Sequence, residues 1–85
     1  MTMKLVYFAR VREALGCDGE DVDFPAAVQS VGDALDWLVT LSPRHADAFA
    51  DRSKLRFALD QRMVKSDALV AGASEFAIFP TVTGG

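Results

Sequence analysis

Only one stretch of this chain carries an extended helical repeat with a single apolar side, "SVGDALDWLVTL" at residues 30–41, and strand-like runs lie on both sides of it. Val31, Leu35 and Leu38, with Trp37 and Leu41, recur at three- and four-residue spacings and make one broad apolar face. Ser30 with Asp33 three residues on reads as a capping box in which Asp stands in for Glu. A lone helix of this kind must bury its face against a sheet, and the chain has 85 residues to supply one. That length makes one domain and buries only somewhat more than ~60% of the unfolded surface. The architecture is therefore confined to one sheet with its helices on one face.

Before the helix, "MKLVYFARV" (residues 3–11) is rich in β-branched and aromatic residues and predicts a strand, followed by a helical turn "REALG" stopped at Gly16. "CDGEDVDF" has a turn signal at Asp18-Gly19 and then weak alternation from Glu20 to Phe24, predicting a second, antiparallel strand that Pro25 ends. After the helix, "SPRHADAF" predicts a shorter helix, with Ser42 as cap and Pro43 at its first position. From Leu55 the period changes to two: "LRFALD" and "MVK" flank Gln61-Arg62 as a tight turn. "SDALVAGAS" is irregular, with a turn at Ala71-Gly72, and "EFAIF" is the last strand, stopped by Pro80. The first and last strands are the most apolar, which places them side by side and parallel at the centre. The expected fold is α+β, a β-grasp (ubiquitin-like) mixed sheet over residues 1–79, with residues 80–85 as a flexible tail.

Alternation assigns the two sheet faces. Lys4 does not belong against a helix, so Lys4, Val6 and Phe8 face outward and Met3, Leu5 and Tyr7 inward. The same test sends Arg56, Ala58, Asp60, Met63, Lys65, Glu75, Ala77 and Phe79 outward. Phe57, Leu59, Val64, Phe76 and Ile78 go inward. Phe8, Met63 and Phe79 then stand among charges on the outer face, and two phenylalanines on adjacent central strands form a patch of the kind that marks a partner surface.

Composition removes several function classes. A chain this small cannot also wrap a pocket of the ~300 Å³ or more that small-molecule sites occupy, so no active site of its own is expected. Net charge is −3, with no basic run, which argues against nucleic acid and anionic membranes. A single cysteine, Cys17, excludes an internal disulfide and any multi-cysteine metal site, and no resident metal is expected. The opening apolar run is too short for a signal sequence, and no run approaches the ~20 residues of a membrane span, so a cytoplasmic location is expected. Cys17 reads as incidental, His45 as a solvated residue of a short polar helix, and Trp37 as core or its rim. Asp18, Glu20, Asp21 and Asp23 read as a solvated strand edge that charge protects from pairing. Arg10 and Arg12 stand between solvation and pairing with acidic groups on a partner.

The chain closes on "FPTVTGG". At ~7% average usage, two glycines in the last two positions arise by chance in roughly one chain in two hundred. They add nothing to a fold, which leaves fraying or a function for the free carboxylate of Gly85. "FARVREALG" near the start, "ALDQRMV" in the middle and "FPTVTGG" at the end resemble the small, sulfur-carrying subunits of molybdopterin synthase, carriers of the MoaD/ThiS type, over essentially the whole chain. Thr81 departs from a second proline expected after Pro80, and "GASEFAIF" departs from a more acidic turn.

The resemblance implies a carrier cycle. An adenylating enzyme using ATP and magnesium activates the Gly85 carboxylate, a persulfide donor replaces the adenylate with sulfur, and the thiocarboxylate is inserted into a large subunit, in a heterotetramer, to attack a pyranopterin precursor. The cofactor built there is the product, and this chain holds none. A carboxylate is ionised at neutral pH and a poor electrophile, so it needs a leaving group before sulfur can attack. Gly85 leaves that carbon unhindered, Gly84 lets the backbone pass a constriction, and Pro80 limits the freedom lost on insertion. Phe8, Met63, Phe79, Arg12 and Pro80 are the expected partner contacts. The alternatives are a thiamine-pathway sulfur carrier, a ubiquitin-like modifier joined to lysines, and a plain binding module.

Overall fold

The computed structural model describes residues 1–81, and Gly84 and Gly85, on which the carrier expectation rests, lie outside them. The elements run β1 (Thr2–Tyr7), α1 (Ala9–Leu15), β2 (Gly19–Asp23), α2 (Val31–Leu38) and α3 (Pro43–Ala48). A single 3₁₀ turn at Arg52–Lys54 leads into β3 (Leu55–Leu59), β4 (Arg62–Val64) and β5 (Glu75–Pro80). The five strands form one sheet in the order β2-β1-β5-β3-β4. Its central pair, β1 and β5, is parallel, with Leu5 opposite Phe76 and Tyr7 opposite Ile78, while β1–β2, β3–β5 and β3–β4 are antiparallel. This is the β-grasp arrangement that the order of patterns predicts.

The inward parity builds the core. Met3, Leu5, Tyr7, Phe57, Leu59, Phe76 and Ile78 are all buried, against Val31, Ala34, Leu35 and Leu38 of α2. The predicted capping box is present: the Ser30 hydroxyl accepts from the Asp33 N–H, and the Asp33 carboxylate accepts from the Ser30 N–H. The Gln29 N–H and the Ser30 N–H, both donating to the carboxylate, hold the Asp33 carboxyl below the usual carboxylate range. Trp37 is half-buried and meets Phe24 edge-on, with ring centroids 5.2 Å apart, so it is rim of the core. α2 stops at Leu38, which leaves Leu41 exposed rather than on the packed face.

Four local expectations are corrected. The first strand ends at Tyr7 instead of running to Val11, because Ala9 turns into the left-handed region (φ 49) and α1 starts there. α1 then buries Val11 and Leu15, four apart, and closes on Gly16 in the left-handed conformation (φ 76). The link between β1 and β2 is therefore a helix and not a tight turn. Gly19 belongs to β2, opposite Val6, where an added Cβ would collide with the Leu5 carbonyl oxygen. The second hairpin turns on Asp60-Gln61 (φ 49 and 69) rather than Gln61-Arg62, since Leu59 already pairs with Arg62. Lastly, β5 carries through Pro80, opposite Leu55, and the Thr81 N–H bonds to the Lys54 carbonyl at 2.9 Å. Pro80 lies within sheet pairing, so the expected boundary at residue 79 falls inside β5.

Candidate partner-binding face

Among the described residues, apolar side chains stand without cover on the outer face of the sheet, and singly elsewhere at Met1, Leu41 and Leu69. One row crosses four strands: Val6 on β1 lies beside Ala77 on β5, Ala77 beside Ala58 on β3, and Ala58 beside Met63 on β4. The two alanines are small enough to be shielded by their neighbours, whereas Met63 is 58% exposed. Toward the end of β5, Phe8 (47% exposed) meets Phe79 edge-on at a centroid distance of 6.1 Å, and Arg56 lies beside Phe79. Aromatic pairs favour this geometry. Phe8, Ala9, Phe79 and Pro80 line an almost wholly apolar cup where β5 runs out. Toward the other end of the strands the row is flanked by Lys4 and Glu75, which lie opposite each other, and by Asp60.

Charge and geometry hold that flank in place. One Asp60 carboxylate oxygen accepts from the Ser74 and Glu75 N–H groups, at 2.9 and 3.0 Å, tying the β3–β4 turn to the start of β5. The face thus reads from Phe8, Phe79 and Arg56, through an apolar row, to Lys4, Glu75 and Asp60. It can bury aromatic and aliphatic groups and set their register by charge.

Of the predicted contact residues, the structure brings Phe8, Phe79 and Pro80 together and puts Met63 at the far end of the same face. Arg12 stands apart from the sheet face, exposed in the last turn of α1. Arg10, also on α1, borders a cleft of about 220 Å³ together with Val11, Ala14, Ala48, Leu55 and Pro80. Parity had already sent Val6, Ala58 and Ala77 outward, but only the backbone register aligns them into a row.

A second cluster was not foreseen. The Tyr7 hydroxyl donates to Glu20 Oε2 at 2.6 Å, His45 Nε2 lies 2.8 Å from the same oxygen, and His45 Nδ1 lies 2.7 Å from Ser42 Oγ. His45 is largely buried against Phe49, so it is not the solvated residue its helix suggests, and Glu20 turns inward from the acidic strand edge. Burial and the bond to Glu20 push the Tyr7 hydroxyl far above its ordinary value. Partial burial pushes Glu20 up, but the hydrogen bonds from Tyr7 and His45 and the attraction of His45 outweigh it, leaving the carboxyl below the usual range. This cluster ties α3 to β1 and β2. Asp21 and Asp23 remain exposed on β2, an edge strand as expected, and Cys17 is exposed. Among the described residues no group of side chains is suited to hold a metal ion, and no helix is long and apolar enough to cross a membrane.

Comparison with known proteins follows the same lines. A family model described as "ThiS family" matches residues 5–85. The chain is 38% identical over 85 residues to the molybdopterin synthase sulfur carrier subunit of Escherichia coli (strain K12), covering 98% of this chain and 99% of that one. Among solved structures, it is similar to SAMP1 from Haloferax volcanii, with a TM-score of 0.75, 28% identity and complete coverage of both chains. A second structure, of H. volcanii small archaeal modifier protein 1, has a TM-score of 0.73 at 27% identity, covering 95% of this chain and 98% of that one.

Proposed function

The chain belongs to the ThiS family, and from that premise we propose that it is the sulfur-carrier subunit of a molybdopterin synthase. The observation that carries this reading is the 38% identity to the E. coli sulfur carrier subunit over nearly the whole of both chains. In this reading a carboxylate oxygen of Gly85 attacks the α-phosphate of ATP on an activating enzyme and pyrophosphate leaves. The terminal sulfur of a persulfide donor then displaces AMP at the carbonyl carbon to give an acyl disulfide. A second thiol of the donor cleaves its S–S bond, leaving the thiocarboxylate on Gly85 and a disulfide on the donor. The outer face docks the large subunit while the tail is inserted, and the thiocarboxylate attacks the pterin precursor there. The layout of the outer face supports that division of labour, because its apolar cup borders Pro80, the last residue of β5. Binding and reaction would then sit on adjoining but separate parts of the chain.

Intact mass after incubation with ATP, magnesium, activating enzyme and persulfide donor tests the reading. The expected product has sulfur in place of one terminal oxygen, and finding only the carboxylate would overturn it. Deleting Gly85 moves the carboxylate back by up to ~3.5 Å. Since misplacement of even ~1 Å can cost a hundredfold in rate, sulfur loading and pterin conversion are expected to fall at least that far. A deletion variant that loads and converts normally would remove Gly85 from the mechanism. The likeness to SAMP1 and to small archaeal modifier protein 1 favours a second reading, a ubiquitin-like modifier joined to lysines. Conjugates of this chain that survive denaturing gels would support it.

A further inference from the structure

We propose that the outer sheet face, when no other protein covers it, takes a second copy of this chain about a two-fold axis running along the Val6–Ala77–Ala58–Met63 row. A face-to-face pair of sheets aligns its strands to within about 30°, and a two-fold pair must be self-complementary. Two axes bring this apolar row onto itself, and the charges beside the row choose between them.

An axis parallel to the strands sets β5 over the partner copy's β3, and so Glu75 over Asp60, a like-charge contact repeated twice. An axis along the row sets each strand over its own copy with its direction reversed. Arg56 and Ala58 face outward on β3 and Asp60 follows in the turn, level with Glu75, so Arg56 of each copy lies over Asp60 of the other, with Ala58 over Ala58. Lys4 and Val6 face outward on β1 and Phe8 just beyond it, so Lys4 meets Phe8, an ammonium over an aromatic ring. On β5 Glu75 meets Phe79, a carboxylate against a neutral ring rather than against a second carboxylate. Met63 meets Met63 across the axis. Arg56 and Asp60 are both exposed and lie on opposite sides of the row, two residues either way from Ala58, which is the spacing such an exchange requires. Asp60 is already fixed by the Ser74 and Glu75 N–H groups, so little further freedom is lost in meeting an arginine.

Strands ~4.8 Å apart and five residues deep make a face on the order of 400 Å² per copy, half of the ~800 Å² a side usual in a stable complex. The dimer is therefore weak. It forms at high concentration and yields to any partner that covers more surface. Its existence does not depend on the sulfur-carrier reading.

Sedimentation equilibrium of the isolated chain from ~10 µM to ~1 mM, a range that spans weak encounters, reads it directly. Self-association is expected at the upper end and is expected to weaken at least tenfold in Arg56→Glu, which sets a second carboxylate against Asp60. Asp60→Asn keeps the turn, since asparagine tolerates positive φ and retains the acceptor oxygen. In that background the further loss caused by Arg56→Glu should be at least threefold smaller. Met63→Glu, away from the turn, brings two carboxylates together at the axis and should abolish association, with circular dichroism confirming the fold of each variant. A chain that stays monomeric at ~1 mM, an association that survives Met63→Glu, or an Arg56→Glu effect of equal size in both backgrounds would overturn the proposal.

Discussion

The two faces of the sheet are written by the same alternating strands and meet different fates. On the inner face Met3, Leu5, Tyr7, Phe76 and Ile78 are completely or almost completely buried, beneath α2 and against Phe24 and Phe49. On the outer face Val6, Phe8, Met63 and Phe79 are as apolar, and no helix among the described residues is placed over them. A protein that needed only to fold would have polar residues there, as most half-buried antiparallel strands do. The inner face accounts for stability, association is the role proposed for the outer one, and substitutions can separate the two.

The largest effect belongs to the inner face. Phe76 is fully buried at the centre of β5, stacked at a tilt against Phe57 with centroids 6.1 Å apart. Phe76→Ala is expected to cost about 3–5 kcal/mol of unfolding free energy, read by denaturant melts. A loss below about 1 kcal/mol would mean that the inner face is not the core.

Next comes the outer face, where the effect should move from folding to binding. Phe8→Asp is expected to weaken the proposed complex with a large subunit by more than ~2 kcal/mol, the scale of an aromatic anchor, and so by more than tenfold. Phe8 also occupies the N-cap position of α1, in an extended conformation with no side-chain cap bond. Aspartate is among the preferred N-cap residues and phenylalanine is not, so the melting temperature should hold or rise slightly. Calorimetry of binding beside a thermal melt separates the two readouts. A variant that unfolds would reverse the face assignment, and one that binds normally would move the interface elsewhere.

What the sequence disclosed follows the same division. Strand order, the parallel centre and both faces could be read because alternation is a local signal and Lys4 alone breaks the symmetry between the faces. The start of α1 could not, because "MKLVYFARV" continues a strand-like composition past Ala9, and only the backbone reversal there ends it. The turn at Asp60-Gln61 was displaced by one residue, since aspartate at positive φ carries no sequence mark as clear as Asn-Gly. The Tyr7–Glu20–His45–Ser42 cluster was out of reach: its charged members are 25 residues apart, and only the packing of α3 joins them. The Gly-Gly end, outside the described residues, is the most legible functional candidate in the sequence, because a side chain's absence needs no fold to be noticed. The apolar row was half legible, its members assignable by parity and its alignment a matter of register.

The smallest expected effect comes from that cluster, which sits at the β2 edge of the inner face and shows how weakly a polar contact contributes beside an apolar one. The folded Glu20 carboxyl titrates below its unfolded value. A group whose pKa is depressed on folding contributes stability that is present above the unfolded value, near ~4.3, and is lost as pH falls through the folded one. Stability should therefore decline on acidification below about pH 4.5, and Asp33 and Asp51, also depressed by hydrogen bonds, decline with the same sign. Comparison with Glu20→Gln isolates one share of this loss, since glutamine keeps an acceptor for the Tyr7 hydroxyl but cannot titrate. The variant should be less stable at neutral pH by no more than about 1 kcal/mol, the scale of partly exposed pairs. Its acid decline should be correspondingly shallower, so that the two curves converge as pH falls through the depressed folded value. Denaturant melts at neutral pH and through the acid range would read both quantities. Parallel curves, with the same gap at every pH, would mean that Glu20 stabilises α3 by shape rather than by charge.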